Sequence, residues 1–229
     1  MKRLAILVAS LLLLESTYAP LHADSASVRT ISSGATNAPI ELAITGLPSA
    51  ANPYDAASAN VIAKIKFASG RTIDIPLFWY QEFQNFQNYN DFNTKKIGEP
   101  EWRLRFRALE SGEIKISFSG AIDGQAIAIP DYSLNIDYQV QTPITISGRG
   151  FYQGEAPFVP IAYNIAWAGR YKELIKYKQW FKAASEGGVN VARVWMAAWS
   201  LGIEWADTGL GNYNARLQNA WTLDQVFKL

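Results

Sequence analysis

The amino-acid sequence predicts a multidomain β and α/β chain: an N-terminal antiparallel β-sandwich followed by the beginning of a parallel α/β domain. Two observations predict this. From about Pro39 to Gln141, apolar and polar residues alternate with a period of two, which is the pattern of strands with one buried face. After Thr142 the pattern changes to the order strand, helix, strand and helix, which is typical of the opening of a parallel α/β domain.

The first 23 residues have the pattern of a secretory signal peptide. Lys2 and Arg3 precede an apolar run from Leu4 to Leu14, which is too short to span a bilayer comfortably. Cleavage is expected after Ala23, although Leu21 makes this an imperfect site, and Ala19 is the alternative site despite the unfavourable Pro20 after it. The alternative to cleavage is an uncleaved N-terminal anchor. The pattern therefore predicts a secreted or periplasmic protein with no membrane attachment after cleavage.

The composition limits the classes of partner and of chemistry. The chain has 229 residues, of which 49% are hydrophobic and 18% are charged, as in ordinary globular proteins. Its formal net charge of +1 provides no overall field that would attract nucleic acid, so we expect no nucleic acid partner. There is no cysteine, and the single histidine, His22, would leave with the signal peptide. This excludes a Ser-His-Asp triad, a cysteine nucleophile and nearly all zinc sites, and we expect no metal and no cofactor.

The predicted sandwich extends over residues 39–142 and follows a flexible segment at 24–38. Its clearest piece is 101–120, where apolar residues alternate with arginines before an ESG turn and with polar residues after it. The apolar residues are Trp102, Leu104, Phe106, Ile114, Ile116 and Phe118. This alternation predicts an antiparallel hairpin with one apolar face and one solvated face.

Other segments repeat the alternation. Residues 60–78 contain two runs around a turn at Ser69 and Gly70, and residues 40–46 and 133–141 are expected to supply outer strands. Six or more short strands separated by turns are typical of an immunoglobulin-like sandwich of about 100 residues.

Two features of the predicted sandwich have both a binding and a structural interpretation. Arg103, Arg105 and Arg107 form either a basic stripe or the solvated face of a strand, and we favour the solvated face because nothing else basic clusters nearby. Residues 78–93 are rich in aromatic and amide side chains, which would either stack on sugar rings or form a long packed loop. We favour the packed loop.

The α/β part begins after a glycine-rich linker at 143–157. A short apolar strand is predicted at 158–163, followed by a helix at 171–186 in which apolar residues recur at steps of three and four. These residues are Leu174, Tyr177, Phe181 and Ala184. Gly187, which follows the helix, suits the left-handed cap position.

A second strand and a second helix follow. Residues 189–196 are almost continuously apolar, as in a strand buried on both faces, and residues 220–229 begin a helix with Thr222 as its N-cap. Two strands cannot close a parallel sheet, and a (β/α)8 TIM barrel needs about 250 residues. We therefore expect 158–229 to be the first two βα units of an incomplete barrel in an N-terminal fragment. The alternative is that these units fold against the sandwich.

Arg193 lies in the middle of the second predicted strand. A guanidinium buried there without a partner would be costly, so the prediction of a buried strand also predicts a carboxylate beside Arg193. Within the chain, the candidates are Glu204 and Asp207.

Five segments, in the same order along the chain, resemble a family of known enzymes. They are 75–84 (IPLFWYQEFQ), 97–118 (IGEPEWRLRFRALESGEIKISF), 158–167 (FVPIAYNIAW), 187–205 (GGVNVARVWMAAWSLGIEW) and 209–229 (GLGNYNARLQNAWTLDQVFKL). They are similar to bacterial cellulase-like glycoside hydrolases of clan A, in which a β-sandwich domain of unknown function precedes the catalytic barrel. One departure is Ala162, where the family usually has glycine. We expect a tighter local backbone there rather than a loss of chemistry.

The resemblance implies a retaining mechanism that uses two carboxylates about 5 to 5.5 Å apart. In the family, the acid/base glutamate follows the fourth barrel strand and the nucleophile follows the seventh, and neither strand is in this chain. Arg193 matches the family's arginine that hydrogen-bonds the nucleophile, which such a guanidinium would orient and keep ionised. Glu204, Asp207 and Asp224 are the acidic residues nearest to the barrel rim in sequence, and we assign them surface or capping roles.

Residues at the predicted strand ends are candidates for substrate binding, because the active sites of such barrels lie at the carboxyl ends of the strands. Trp167 and Asn164 follow the first strand, and Trp199 follows the second. The indole faces of Trp167 and Trp199 would stack on a pyranose, and Asn164 would orient a ligand or cap a turn. The alternative for the tryptophans is packing under a loop, which we favour for Trp195.

These expectations combine into one function and two alternatives. We expect the N-terminal part of a secreted glycoside hydrolase that acts on a β-linked polysaccharide or oligosaccharide, and the 229-residue chain alone is expected to be inactive. The first alternative is a secreted carbohydrate-binding or adhesion module without catalytic activity. The second is a degraded reading frame that makes no stable product.

Overall fold

The computed structural model describes residues 26–34, 38–88, 91–168, 173–197, 199–203 and 217–229. These residues form mostly antiparallel β-sheet together with two helices, which confirms a β-rich fold. The predicted signal peptide at 1–23 lies outside the described residues. Within the described ranges, neither helix is long and apolar enough to cross a lipid bilayer.

The first nine strands form two antiparallel sheets. In chain order they are β1 (Ser27–Ser33), β2 (Ile40–Thr45), β3 (Ala59–Lys66), β4 (Thr72–Pro76), β5 (Phe78–Asn88), β6 (Asp91–Phe106), β7 (Gly112–Ile122), β8 (Gln125–Ala126) and β9 (Tyr132–Ile136). Sheet A has the order β1-β2-β6-β5, and sheet B has the order β4-β3-β7-β8, with β9 also paired to β7. We call the two sheets together the two-sheet unit.

The two sheets share one hydrophobic core. Alternate residues of a strand are buried, as in β3, where Val61, Ala63 and Ile65 are buried while Lys64 and Lys66 are exposed. Sheet A contributes Ile40, Leu42, Ile44, Trp102, Leu104 and Phe106, and sheet B contributes Val61, Ala63, Ile65, Ile114, Ile116, Ile122 and Ile136. Because the chain has no cysteine, burial of this apolar surface is the main source of stability.

Strand pairing differs from the prediction at 101–120. Among the described strands, β6 pairs with β2 and β5 in sheet A, whereas β7 pairs with β3, β8 and β9 in sheet B. The predicted hairpin is therefore wrong. Both strands direct apolar residues into the same core from opposite sheets, so residues 107–111 cross between the sheets. The hairpin predicted at 60–78 is confirmed, since β3 pairs with β4 and Ile65 lies opposite Ile73.

Three other segments of the two-sheet unit also differ from expectation. The flexible segment predicted at 24–38 contains strand β1. Residues 40–46, expected to form an outer strand, form β2, which lies between β1 and β6. Within the segment 78–93, expected to form a loop, residues 78–88 form β5 and residues 91–93 belong to β6. Aromatic residues are enriched in strands, which accounts for the last difference.

The segment at 143–157, expected to be a linker, contains three short strands. β10 (Ile144–Ser147), β11 (Gly150–Gln153) and β12 (Ala156–Phe158) form a small antiparallel sheet. Gly148 and Gly154 lie in the two turns and have positive φ values of 59° and 65°. Glycine adopts this backbone conformation without steric cost, which explains its place in both turns.

The remaining elements form a parallel α/β unit. They are β13 (Ala162–Ile165), α1 (Glu173–Glu186), β14 (Val191–Val194) and α2 (Leu217–Phe227). β13 and β14 pair in parallel, with Asn164 opposite Arg193, so the predicted order of strand, helix, strand and helix is confirmed. The first strand lies further along the chain than predicted, because Phe158 belongs to β12.

The helix ends differ from the prediction in detail. Gly188, rather than Gly187, adopts the left-handed conformation after α1, with a φ of 81°. Thr222 is not an N-cap, because α2 begins before it at Leu217. The Thr222 hydroxyl instead donates to the carbonyl of Gln218 over 2.8 Å, as threonine does inside helices.

The parallel sheet is less buried than predicted. Tyr177 of α1 and Leu223 and Val226 of α2 form a core with Ala168 and Leu201. Most residues of β13 and β14 are nevertheless exposed, so the described residues do not cover the faces whose burial the apolar pattern of the second strand indicated. The reason is that this sheet has two strands, and no other described strand pairs with either of them.

Candidate functional site

Three tryptophans meet at the carboxyl ends of the two parallel strands. Trp167 follows β13, Trp195 directly follows β14, and Trp199 lies in the loop after β14. The ring centroid of Trp167 is 5.6 Å from that of Trp195 and 5.7 Å from that of Trp199, the second pair packing edge to face. All three side chains are exposed, Trp199 to 62%. We call these three residues the tryptophan cluster.

Backbone hydrogen bonds hold the strand ends and the following loop. The Trp195 N–H donates to the carbonyl of Ala166 over 3.1 Å, which continues the pairing beyond both strands. Ala197 and Ser200 then exchange two backbone hydrogen bonds of 2.9 Å, which close the turn that carries the third tryptophan. Leu201 follows with a φ of 55° and a buried side chain that anchors the loop in the α/β core.

Two polar side chains border the cluster. Asn164 and Arg193 are cross-strand neighbours, and Oδ1 of Asn164 accepts a hydrogen bond of 2.9 Å from Nε1 of Trp195. The guanidinium carbon of Arg193 lies 5.4 Å from the ring centroid of Trp195, within the range of a cation–π interaction. Both polar side chains are exposed, so their remaining hydrogen-bonding atoms face solvent.

The prediction that Arg193 is buried is wrong. Its side chain is exposed because no described strand pairs with the outer edge of β14. The ion pairs formed among the described residues do not include Arg193. Glu204 and Asp207, the partners considered from the sequence, lie outside the described residues.

The five described side chains of this site offer stacking surfaces and hydrogen-bonding groups. Exposed indole faces suit flat apolar surfaces, and the amide and guanidinium groups suit hydroxyl or carboxylate oxygens. None of the five side chains is acidic. Among the described residues there is no group of three or more His, Cys, Asp and Glu side chains placed to hold a metal ion.

A cluster of charged side chains covers the outer face of sheet A, where the sequence predicted a row of solvated arginines. Arg103 is 6% exposed. Its Nη1 donates to Glu41 over 2.7 Å, its Nε donates to Glu101 over 2.9 Å, and its guanidinium carbon lies 3.9 Å from the ring centroid of Tyr80. The prediction of a solvated arginine is therefore wrong at this position.

Arg105 links these charged side chains to helix α2, so the prediction of a solvated arginine is wrong here too. Its Nε donates to Glu41 over 2.9 Å, and its Nη1 donates to Asp224 of α2. Asp224, whose side chain is 10% exposed, also pairs with Nζ of Lys228 over 2.9 Å and accepts a hydrogen bond of 2.9 Å from the hydroxyl of Tyr80. The surface or capping role expected for Asp224 is therefore wrong, since this carboxylate lies between α2 and sheet A.

The surroundings shift the pKa values of these groups. Burial raises the pKa of Asp224, but hydrogen bonds from Arg105 and Lys228 outweigh it and hold this pKa below its ordinary value. Burial lowers the pKa of Arg103 and Arg105, but their carboxylate partners outweigh it and leave both pKa values raised. Burial and the nearby Asp224 charge raise the pKa of Tyr80. At neutral pH both arginines and Asp224 are therefore charged, and the tyrosine is neutral.

Aromatic residues complete the contact between α2 and sheet A. Trp221 packs with Tyr80 and Phe83 of β5 and donates from Nε1 to Glu82 over 2.7 Å. The pairing of β5 shifts register between Tyr80 and Glu82, and such a bulge changes which side of a strand the following residues face. The alternative considered from the sequence, that the α/β units fold against the β-structure, is confirmed for α2.

The structure brings together the residues that the sequence singled out at the strand ends. Trp167, Trp199, Asn164 and Arg193 lie at one edge of the parallel sheet. Trp195, for which packing was favoured, joins them with an exposed ring.

The contact between sheet A and α2 was missed. The spacing of α2 carried a signal for it, because Leu217, Trp221, Asp224 and Lys228 recur at steps of four, three and four. Val226, which belongs to the α/β core, lies on a different side of the helix. A helix with two such stripes has two neighbours to pack against.

No family model matches the chain, and neither does any curated protein or solved structure with which it was compared. A proposal about function therefore rests on the geometry of the described residues and on the resemblance of the five sequence segments.

Proposed function

We propose that this chain is the N-terminal part of a secreted glycoside hydrolase that acts on a β-linked polysaccharide or oligosaccharide. The tryptophan cluster is the observation that carries the proposal. Three exposed indoles at one edge of a sheet form an apolar surface of the kind that marks a binding site, and a pyranose ring presents a flat apolar face that suits them. Asn164 and Arg193 supply hydrogen-bonding groups for sugar hydroxyls beside this surface.

The position of the cluster in the fold supports a catalytic cleft. Ligands of parallel α/β proteins bind at the carboxyl ends of the strands, which is also where the active sites of (β/α)8 barrels lie. We propose that the α/β unit is the first two βα units of such a barrel and that the two-sheet unit is an immunoglobulin-like sandwich. Exposed apolar residues along β13 and β14 support this, because further barrel strands would cover them. These residues are Ile161, Tyr163, Val191 and Met196.

The proposed reaction uses two glutamates on later barrel strands that this chain does not include. One attacks the anomeric carbon and the other protonates the leaving oxygen, so the product retains its anomeric configuration. In this proposal Arg193 orients the nucleophile, because a guanidinium binds a carboxylate through two parallel hydrogen bonds and keeps it ionised. The exposure of Arg193 at the carboxyl end of β14 supports this role.

The proposal predicts that the 229-residue chain binds β-linked oligosaccharides without hydrolysing them. Isothermal titration with glucan, xylan and mannan oligosaccharides measures binding, and release of reducing ends measures hydrolysis. Trp167→Ala and Trp199→Ala each remove one stacking face. Each is therefore expected to weaken binding about tenfold, which corresponds to about 1.4 kcal/mol.

Trp180→Ala is the matched control for these two variants. Trp180 is also exposed, but it lies on α1 beside Tyr177 and Lys176, outside the tryptophan cluster. Its replacement is expected to leave the affinity unchanged. Equal losses in all three variants, or no binding to any oligosaccharide in the set, would contradict the proposal.

A carbohydrate-binding or adhesion module without catalytic activity is the second candidate. It is supported by the tryptophan cluster and its polar border, because stacking and hydrogen bonding to a sugar require no catalytic carboxylate. Sequencing the coding DNA beyond the codon for Leu229 separates the two candidates. The hydrolase requires further barrel strands that end in the two glutamates, whereas the binding module requires neither.

A further inference from the structure

We infer that the outer face of sheet A is a docking surface for helix α2, through which the two-sheet unit holds the α/β unit in one orientation. The two-sheet unit then serves as a rigid support rather than as a freely tethered sugar-binding module. This inference does not depend on the proposed sugar binding. Three features carry it: a helix held on two sides, a balanced network of charges, and aromatic residues that are already covered.

Helix α2 is held on two sides. Val226 belongs to the core of the α/β unit, and Nδ2 of Asn219 donates to the carbonyl of Gly202 over 2.6 Å. On another side of the helix, Trp221 packs against β5 and Asp224 bonds to Arg105 of β6. Contacts on both sides fix α2 to the two units at once, so the position of one unit determines that of the other.

The charges across the contact are balanced. Among the described residues, four carboxylates and four cations form one connected network. Its members are Glu41, Glu82, Glu101, Asp224, Arg29, Arg103, Arg105 and Lys228. The side chains of Arg103 and Glu41 are 7% and 4% exposed, so leaving either unpaired would be costly. A network that must be fully paired favours one relative position of helix and sheet.

The aromatic residues of β5 are covered by the same contact. Tyr80 and Phe83 are buried with Trp221, and Phe78 and Leu217 pack against them. A sugar ring would have to displace α2 to stack on these side chains. Tyr80 and Phe83, which in the sequence could have formed a sugar-stacking surface, are therefore covered by α2 of the same chain.

Distances between spin labels test the inference in the full chain, which has no cysteine of its own. Lys66→Cys in β3 and Lys178→Cys in α1 place one label on each unit at exposed positions. Double electron–electron resonance is expected to give one narrow distance distribution. Asp224→Lys, which places a third cation beside Arg105 and Lys228, is expected to broaden it about twofold or more. Trp221→Ala is expected to do the same by removing the apolar contact.

Asp74→Lys is the matched charge control, because Asp74 is exposed on β4 in the other sheet. It is expected to leave the distribution unchanged. Amide hydrogen exchange of β3 and β7 in the same samples is expected to keep its protection, which shows that the core of the two-sheet unit is intact.

A broad distribution in the parent chain, or unchanged distributions in both interface variants, would overturn the inference. If Asp224→Lys loses exchange protection throughout, Asp224→Asn decides the matter, since it removes the charge and keeps the shape of the side chain. A broader distribution than in the parent is expected for it, and an identical one would overturn the inference.

Discussion

At the scale of single residues, Asp224 accepts two of the hydrogen bonds that link α2 to sheet A, those from Tyr80 and Arg105. Its carboxylate bonds to Arg105 and Lys228 and accepts the hydroxyl hydrogen of Tyr80. Protonation of Asp224 would leave the two cations close together without the negative charge between them. The interface is therefore expected to respond to acid through this residue.

The free energy of unfolding is expected to decrease in acid because of Asp224. Its pKa in the folded chain lies below the ordinary value of 3.8, which applies in the unfolded chain. The unfolded state therefore takes up the proton first, so this contribution is complete above about pH 5 and is lost as the pH falls through the folded-state pKa. Urea unfolding between about pH 7 and pH 3 should show a smaller acid loss for Asp224→Asn than for the parent chain. Equal losses would contradict this role of Asp224.

Arg103 and Arg193 show how far the sequence alone predicts the burial of a charged side chain. The alternation of residues correctly placed Arg103 on the side of β6 that faces away from the apolar core. It carried no information about α2, which follows more than a hundred residues later and covers that side. Arg193 was expected to be buried because its neighbours are apolar, but no described strand covers β14. Burial of a charged residue thus depends on a distant element that local pattern does not specify.

At the scale of elements, α2 is the helix that belongs to both units. Its Trp221 and Asp224 contact sheet A, whereas Leu223 and Val226 lie in the core of the α/β unit. The helix itself was predictable from its spacing of apolar residues. Its two packing partners were not, because apolar residues on two sides of a helix do not state which element covers which side.

Val226→Ala is expected to destabilise the α/β unit by about 2 kcal/mol, since Val226 is 1% exposed and its loss leaves a cavity. Phe227→Ala is the matched control, because Phe227 is the next residue and is 73% exposed. The control is expected to change the free energy of unfolding by less than about 0.5 kcal/mol. Urea unfolding followed by circular dichroism measures both. A larger effect at Phe227 than at Val226 would show that α2 packs on a different side.

Local sequence pattern also did not specify which strands pair with each other. Period-two alternation predicted strands β2, β3, β4, β6, β7 and β9 and the β3–β4 pair, but not β1, β5 or β8. It did not predict that β6 and β7 lie in different sheets. The alternation of apolar and polar residues around Trp102 and Ile116 is the same whether the two strands pair in one sheet or face each other across a core. Nor did it predict a strand for the aromatic residues at 78–83, whose covering helix comes much later in the chain.

At the scale of the whole molecule, the described residues combine a two-sheet unit, a small three-stranded sheet and an α/β unit. Helix α2 connects the first and the last of these through a mixed aromatic and charged contact. The tryptophan cluster lies at the carboxyl edge of the parallel sheet, at the ends of β13 and β14. This arrangement assigns support to the two-sheet unit and, in our proposal, sugar binding to the α/β unit.

The most direct test of the proposed sugar site is a nuclear magnetic resonance titration of the indole N–H signals, of which the chain has eight. A β-linked oligosaccharide selected by titration calorimetry is added to the ¹⁵N-labelled chain. We expect saturable shifts for the three signals of the tryptophan cluster. We expect no shifts for the other described tryptophans, which are Trp79, Trp102, Trp180 and Trp221. Shifts confined to this second group, or no shift in the cluster at saturating sugar, would contradict the proposal that the cluster binds carbohydrate.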